Sequence, residues 1–177
     1  EYAMKKLLYI LFISTLGLNS VSAQDLVQSG PMVGYSDMFE ALLWVQTKES
    51  AKVHFEYFDR ENPKERFKTE KYTTKSEDAY VAKLIADKLE PSKKYTYELF
   101  INGKRVRRDY PMEFQSQELW QWRTDPPEVN FAIGSCNYVN EKRYDRPGKG
   151  YGSDHDIFKS IDKKDPDFML WLGDNTY

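Results

Sequence analysis

Cysteine is nearly missing from these 177 residues: Cys136 is the only one, so no disulfide can form within the chain. Histidine is scarce as well, with His54 and His155 alone. Nor does charge of one sign dominate. The 26 basic and 28 acidic residues leave a net charge of -2, a balance that offers nothing to draw in nucleic acid, and no nucleic-acid-binding module is evident. The longest apolar run, residues 7–18, is shorter than the roughly 20 residues needed to cross a bilayer.

That run has Lys5 and Lys6 in front of it and Val21-Ser22-Ala23 behind it, before polar Gln24. A basic start, an apolar middle and a small-residue cleavage site are the parts of a secretory signal. Residues 4–23 are therefore expected to be a signal peptide cleaved near Ala23-Gln24, leaving a soluble secreted or periplasmic protein. Glu1-Tyr2-Ala3, ahead of Met4, have no part in such a signal. No cysteine lies near Ala23 to carry a lipid, so no membrane anchor is expected. Export favours disulfides, and a lone thiol in an exported chain calls for another reason.

What the sequence does have is aromatic residues, 15% of the total, set in short strand-like segments. Val53, Phe55 and Tyr57 alternate with polar neighbours at the period of a half-buried antiparallel strand. On that pattern His54 points the other way, into solvent. Residues 41–47 read as a more continuous apolar strand. Residues 95–101 run into Asn102-Gly103, a strong hairpin signal, because both central residues of a type I′ turn need positive φ. Residues 104–110 would be the returning strand, and Lys104, Arg105, Arg107 and Arg108 a solvated hairpin edge that discourages strand-to-strand aggregation. Just upstream, Leu89, Pro91 and Tyr95 have the spacing of a tyrosine corner, in which a buried phenol bonds back to upstream backbone. An immunoglobulin-like or fibronectin III-like β-sandwich is expected over roughly residues 26–124.

Asp125-Pro126-Pro127 breaks this pattern, and the domain boundary is placed there, giving a sandwich plus linker over residues 24–127. Residues 129–133 then read as a buried strand ending at Gly134-Ser135-Cys136. A glycine-containing loop leads to a helix over residues 154–163, with Ile157, Phe158 and Ile161 on one face and Ser153 or Asp154 as its cap. Residues 168–172 form a continuous apolar strand that leads to Gly173-Asp174. Strand, helix, strand is a βαβ unit, so residues 128–177 open an α/β domain.

A βαβ crossover makes its strands parallel, and their carboxyl ends emerge on one edge of the sheet. Ligand-binding groups of open α/β sheets collect at that edge. Neighbouring strands would thus bring Cys136 and Asp174 to one crevice, with Tyr177 three residues beyond. Thiolate, carboxylate and phenolate are anionic donors that suit a trivalent iron better than magnesium, with zinc as the alternative. Each has a plainer reading: a buried inert thiol, a turn-capping carboxylate, a frayed terminal ring. Asp154-His155-Asp156 does not form a metal triplet, because residues one and two apart on a helix do not share a face; acidic residues there suit the helix dipole.

Gly134-Ser135-Cys136 after the first α/β strand, the aromatic-rich loop and Gly173-Asp174-Asn175-Thr176-Tyr177 after the second resemble the PhoD-type alkaline phosphatases of the calcineurin-like metallophosphoesterase superfamily. An exported β-sandwich in front of the catalytic domain also fits that family. The resemblance implies that Cys136, Asp174 and Tyr177 bind Fe(III), with Asp174 bridging to Ca(II). It implies hydrolysis of phosphomonoesters or phosphodiesters by a metal-activated water, the ions clamping the attacking and leaving oxygens. The family's later Asn and His ligands would lie beyond Tyr177, so the 177 residues alone are expected to be inactive. The competing class is a secreted binding module, whose sandwich engages glycan, protein or cell surface and whose C-terminal piece is not catalytic.

Overall fold

The computed structural model describes residues 22–148, 150 and 155–175. Residues 1–21, which hold nearly all of the candidate targeting segment, lie outside that range. Contacts divide the chain into a unit ending at Leu119 and a unit beginning at Trp120. Among the described residues no helix is long and apolar enough to cross a membrane.

Among the described residues, nine strands build the first unit: β1 (Val27–Ser36), β2 (Ala41–Thr47), β3 (Lys52–Asp59), β4 (Phe67–Lys68), β5 (Tyr72–Thr73), β6 (Val81–Ala86), β7 (Lys94–Ile101), β8 (Lys104–Val106) and β9 (Glu113–Gln115). One sheet has the order β1-β2-β6 and the other β4-β3-β7-β8, with β5 also on β3 and β9 also on β7. These strands all pair antiparallel. The period of two explains the layering. Leu43 and Val45 of β2 and Ala82 and Leu84 of β6 share one buried cluster with Val53, Phe55 and Tyr57 of β3 and Tyr97, Leu99 and Ile101 of β7. The all-β sandwich read from the alternation is the fold observed. β2 proves to alternate strictly, its even-numbered side chains half-buried, where a continuous apolar strand was expected.

Two local signals take the expected geometry. Asn102 and Gly103 both have positive φ, 51° and 76°, as the hairpin turn requires. Tyr95 is buried, and its hydroxyl accepts a 2.8 Å hydrogen bond from the Glu90 backbone N–H, closing the corner. The returning strand, expected over residues 104–110, is shorter and stops at Val106. Beyond it the chain turns to β1: Arg108 Nε donates to the Gly30 carbonyl at 3.2 Å and the Tyr110 hydroxyl to the Pro31 carbonyl at 2.8 Å. The freed length of β7 pairs with β9 instead.

His54 corrects an expectation. It does alternate out of the core face, yet it is only 8% exposed. Its cross-strand partner is Phe100, whose ring stacks on the imidazole at 5.0 Å and 18°. Burial holds the His54 pKa below its ordinary value, against an opposing pull from Glu56. Next along the same face Glu56 stands opposite Glu98, a like-charge pairing that would destabilise the sheet alone. Arg66 bridges both carboxylates, Lys68 adds a 2.8 Å contact to Glu56, and Arg105 a 2.8 Å contact to Glu98. The Arg66 guanidinium also lies 4.4 Å over the Phe58 ring. Arg105 is therefore an ion-pair partner and not simply a solvated edge residue.

The second unit contains β10 (Phe131–Gly134), α1 (Asp156–Asp162) and β11 (Phe168–Trp171). β10 and β11 pair in parallel, Phe131 with Phe168 through Gly134 with Trp171, so the α/β start is also as expected. Their entry side is pinned by Asn130: its N–H donates to Asp167 Oδ2 at 2.8 Å, its carbonyl accepts from the Asp167 N–H at 2.7 Å, and its side-chain amide donates to the Lys164 carbonyl. Ser153 and Asp154, the expected helix caps, lie outside the described residues. His155 stands at the N-cap without a side-chain cap bond. Asp156 pairs with Lys159 at 2.7 Å, as an acidic first-turn residue can.

Replacing Tyr95 with Phe removes an acceptor from the Glu90 N–H, and the urea midpoint of the sandwich should fall by the equivalent of about 1 kcal/mol. Alkaline pH offers a second check. Burial pushes the Tyr57 and Tyr97 phenols up to about 12. Below about pH 10 folded and unfolded chains both keep these protons; above it the unfolded chain loses them first, so stability must fall as pH rises towards 12. Urea unfolding across that window should show the fall, and an unchanged midpoint would contradict it.

Candidate metal centre

The parallel ladder does not end where the strands do. Leu172 N–H donates to the Gly134 carbonyl at 2.9 Å, Cys136 N–H to the Gly173 carbonyl at 3.4 Å, and Asn137 N–H to the Asp174 carbonyl at 2.9 Å. Each rung draws the two chain segments one step further together. Regular strand geometry is abandoned on the way, since Cys136, Gly173 and Asp174 have φ of 59°, 111° and 50°. A Cβ at Gly173 would touch nothing, so only the backbone angle there favours glycine.

This path brings Cys136 and Asp174 together, as their positions after parallel strands imply. The Cys136 thiol donates to Asp174 Oδ2 at 3.6 Å, and Ser135 Oγ donates to Cys136 Sγ at 3.5 Å. Both residues are exposed, so the plain reading of Cys136 as a buried thiol does not hold. Tyr177, the third expected donor, lies outside the described residues. Among the described residues no group of three or more His, Cys, Asp and Glu is placed to hold an ion. His155 sits beside Phe158, 5.9 Å between rings.

The two donors in view fit a common ion. A metal–sulfur bond of about 2.3 Å and a metal–oxygen bond of about 2.1 Å at a tetrahedral angle separate sulfur from oxygen by about 3.6 Å. That is the spacing already present between Sγ and Oδ2. Sequence reasoning overlooked Asn137 and Asn175. The Asn137 side-chain amide donates to the Asn175 carbonyl at 3.3 Å, tying together the loops that carry the two donors. A signal for it was in plain sight: each donor is followed at once by asparagine, in Cys136-Asn137 and in Asp174-Asn175.

A family profile covers residues 24–119, more than half of the chain. The chain belongs to the DUF7800 family. That family is described as a domain of unknown function, and its match spans the sandwich. No curated protein matches the chain. Among solved structures, the chain is similar to one described as the structure of PhoD, with a TM-score of 0.59 and 22% identity over 82% of this chain. It spans only 27% of the PhoD chain's length. At that identity the likeness speaks for a shared fold. The sensor domain of the anti-sigma factor RsgI4 from Pseudobacteroides cellulosolvens is more distant, with a TM-score of 0.41 and 11% identity over 50% of this chain and 73% of that one.

Gly173→Ala adds a methyl that meets no neighbour but forces a side chain into a conformation costing on the order of 1–3 kcal/mol. The Cys136 amide, which bonds to the Gly173 carbonyl, should then exchange with solvent at least about fivefold faster in NMR measurements. An unchanged rate would mean that the loop tolerates the substitution.

Proposed function

We propose that the chain is the N-terminal part of an exported, metal-dependent phosphoric ester hydrolase of PhoD type. In this reading residues 4–23 are the signal peptide, residues 24–127 the sandwich and its linker, and residues 128–177 the opening of a metallophosphoesterase domain. The observation that carries the reading is the approach of Cys136 Sγ to Asp174 Oδ2 at the shared carboxyl edge of β10 and β11. The likeness of fold to PhoD supports it.

Cys136, Asp174 and Tyr177 would hold Fe(III), with Asp174 shared with Ca(II) and zinc as the alternative first metal. Such a metal pair supplies Lewis acidity towards a phosphoryl group and makes water a nucleophile near neutral pH. The chain's own residues prepare the place. Asp174 is held in a left-handed conformation by rungs on either side of it, so that its carboxylate stands beside the thiol. Ser135 Oγ donates to Cys136 Sγ at 3.5 Å and so orients the thiol. The substrate class in this reading is a phosphate ester, either a small monoester or a diester.

Full-length protein assayed on p-nitrophenyl phosphate and bis(p-nitrophenyl) phosphate tests the proposal. Turnover should depend on metal, be abolished by a chelator, and fall at least about 100-fold in Cys136→Ala and in Asp174→Ala. Folded full-length protein that binds no metal and turns over neither ester would refute it and favour the binding-module class.

A further inference from the structure

As Asn130 does at the entry side, Asn137 bonds more than once across the gap between the two strands' continuations. Its backbone N–H donates to the Asp174 carbonyl at 2.9 Å, and its side-chain amide to the next carbonyl, that of Asn175, at 3.3 Å. One residue therefore holds two consecutive peptide units of the opposite loop. The first of those units leaves Asp174 and the second follows it, so the two together flank the α-carbon of Asn175 and fix the direction in which the chain leaves Asp174. On the Cys136 side, Asn137 follows the thiol directly, and the Tyr138 N–H folds back to the Cys136 carbonyl at 2.9 Å. The segment bearing the thiol is thus anchored by the same residue that anchors the segment bearing the carboxylate.

Such an anchor has something to oppose. Cys136 and Asp174 both sit at positive φ, a region that costs a non-glycine residue free energy and persists only where surrounding bonds over-determine it. Gly173 beside them can relax at little cost, since its φ of 111° is accessible to glycine and nothing crowds it. Without the side-chain bond, the Asn175 carbonyl loses this partner and the segment after Asp174 hangs on the Asn137 backbone N–H alone, which weakens the hold on the left-handed conformation of Asp174. The carboxylate would then swing away from the thiol. The Asn137 side-chain amide is spent on the Asn175 carbonyl, so it acts on the segments that carry the donors and not as a donor itself.

We propose that Asn137 is the positioning residue of this centre, its backbone amide holding the carbonyl of Asp174 and its side-chain amide that of Asn175, so that Asp174 Oδ2 stays within reach of Cys136 Sγ. The functional half of this inference rests on the reading of Cys136 and Asp174 as metal ligands. Outer residues that orient metal ligands typically contribute about 10- to 100-fold in affinity. The prediction is therefore large enough to measure. It also differs from a folding effect, because the rest of the sheet keeps its own ladder and its Asn130 anchor at the opposite end.

Two variants separate the possibilities: Asn137→Ala, which deletes the amide, and Asn137→Asp, which keeps the shape but turns an acceptor towards the Asn175 carbonyl. Metal-free full-length protein is examined first, by NMR amide exchange at residue 137 and at Cys136. Both variants should exchange about fivefold faster or more there, with the urea midpoint of the sandwich unchanged. Co(II) is then used as the probe metal. Wild type should give a thiolate-to-cobalt absorption band that Cys136→Ala loses, and the variants should need about tenfold more Co(II) and show a weaker, shifted band. Unchanged exchange overturns the positioning role whatever the metal result. Faster exchange with an unaltered cobalt band and affinity overturns it as well, leaving the ligand reading intact. Should wild type bind no Co(II), the ligand reading fails, and with it the claim that Asn137 serves a metal centre.

Discussion

Parallel pairing of two four-residue strands is the constraint on which the candidate centre depends. Phe131–Gly134 and Phe168–Trp171 run in the same direction, so the residues that follow each of them emerge at one edge. An antiparallel pair would have sent Cys136 and Asp174 to opposite ends, and no loop of two or three residues could have brought them back. The ladder then continues through Cys136 and Asn137 after both strands have ended. Backbone hydrogen bonds thereby carry the two donor-bearing segments into a geometry that the side chains alone could not maintain. The cost is visible in the positive φ of Cys136 and Asp174.

Elsewhere the same economy of short elements holds. The sandwich is closed by bonds from side chain to backbone at its corners as much as by its ladders. Tyr95 receives the Glu90 N–H, and Ser116 Oγ donates to the Glu90 carbonyl at 2.6 Å while accepting from the Lys93 N–H. Thr47 and Thr74 share a buried 2.8 Å hydroxyl contact, and Thr74 Oγ1 also takes the Ala51 N–H. Each of these groups would carry a desolvation penalty if left unpaired. On the outer face, the opposed carboxylates of Glu56 and Glu98 are held by three cations. Burial tends to raise the Glu56 carboxyl, but Lys68 and Arg66 outweigh it and leave it below the usual carboxylate range.

Much of this was legible from residue order because it depends on neighbours in sequence. The period-two burial of Val53, Phe55 and Tyr57, the Asn102-Gly103 turn and the Leu89-to-Tyr95 corner are local patterns with local causes. What escaped was set by partners far along the chain. His54 looked solvated because its own strand exposes it, and the ring that covers it, Phe100, belongs to β7. The strand after the hairpin looked longer than it is because the acceptors that draw Arg108 and Tyr110 away, Gly30 and Pro31, lie at the opposite end of the unit. The repeated asparagine after Cys136 and after Asp174 marked the two positions, but that the Asn137 amide meets the Asn175 carbonyl depends on a partner 38 residues away.

Sequence by itself determined the kind of elements, their alternation and the order in which donor residues follow strands, because side-chain size, polarity and backbone propensity act over a few residues. It also determined that Cys136 and Asp174 each come two or three residues after a strand. Only the tertiary structure decided that these strands are neighbours, that the 3.6 Å approach of Sγ to Oδ2 results, and that Asn137 stitches the two loops. Those outcomes depend on hydrogen bonds between segments nearly forty residues apart, and such pairings are settled by which strand edges meet when the chain packs.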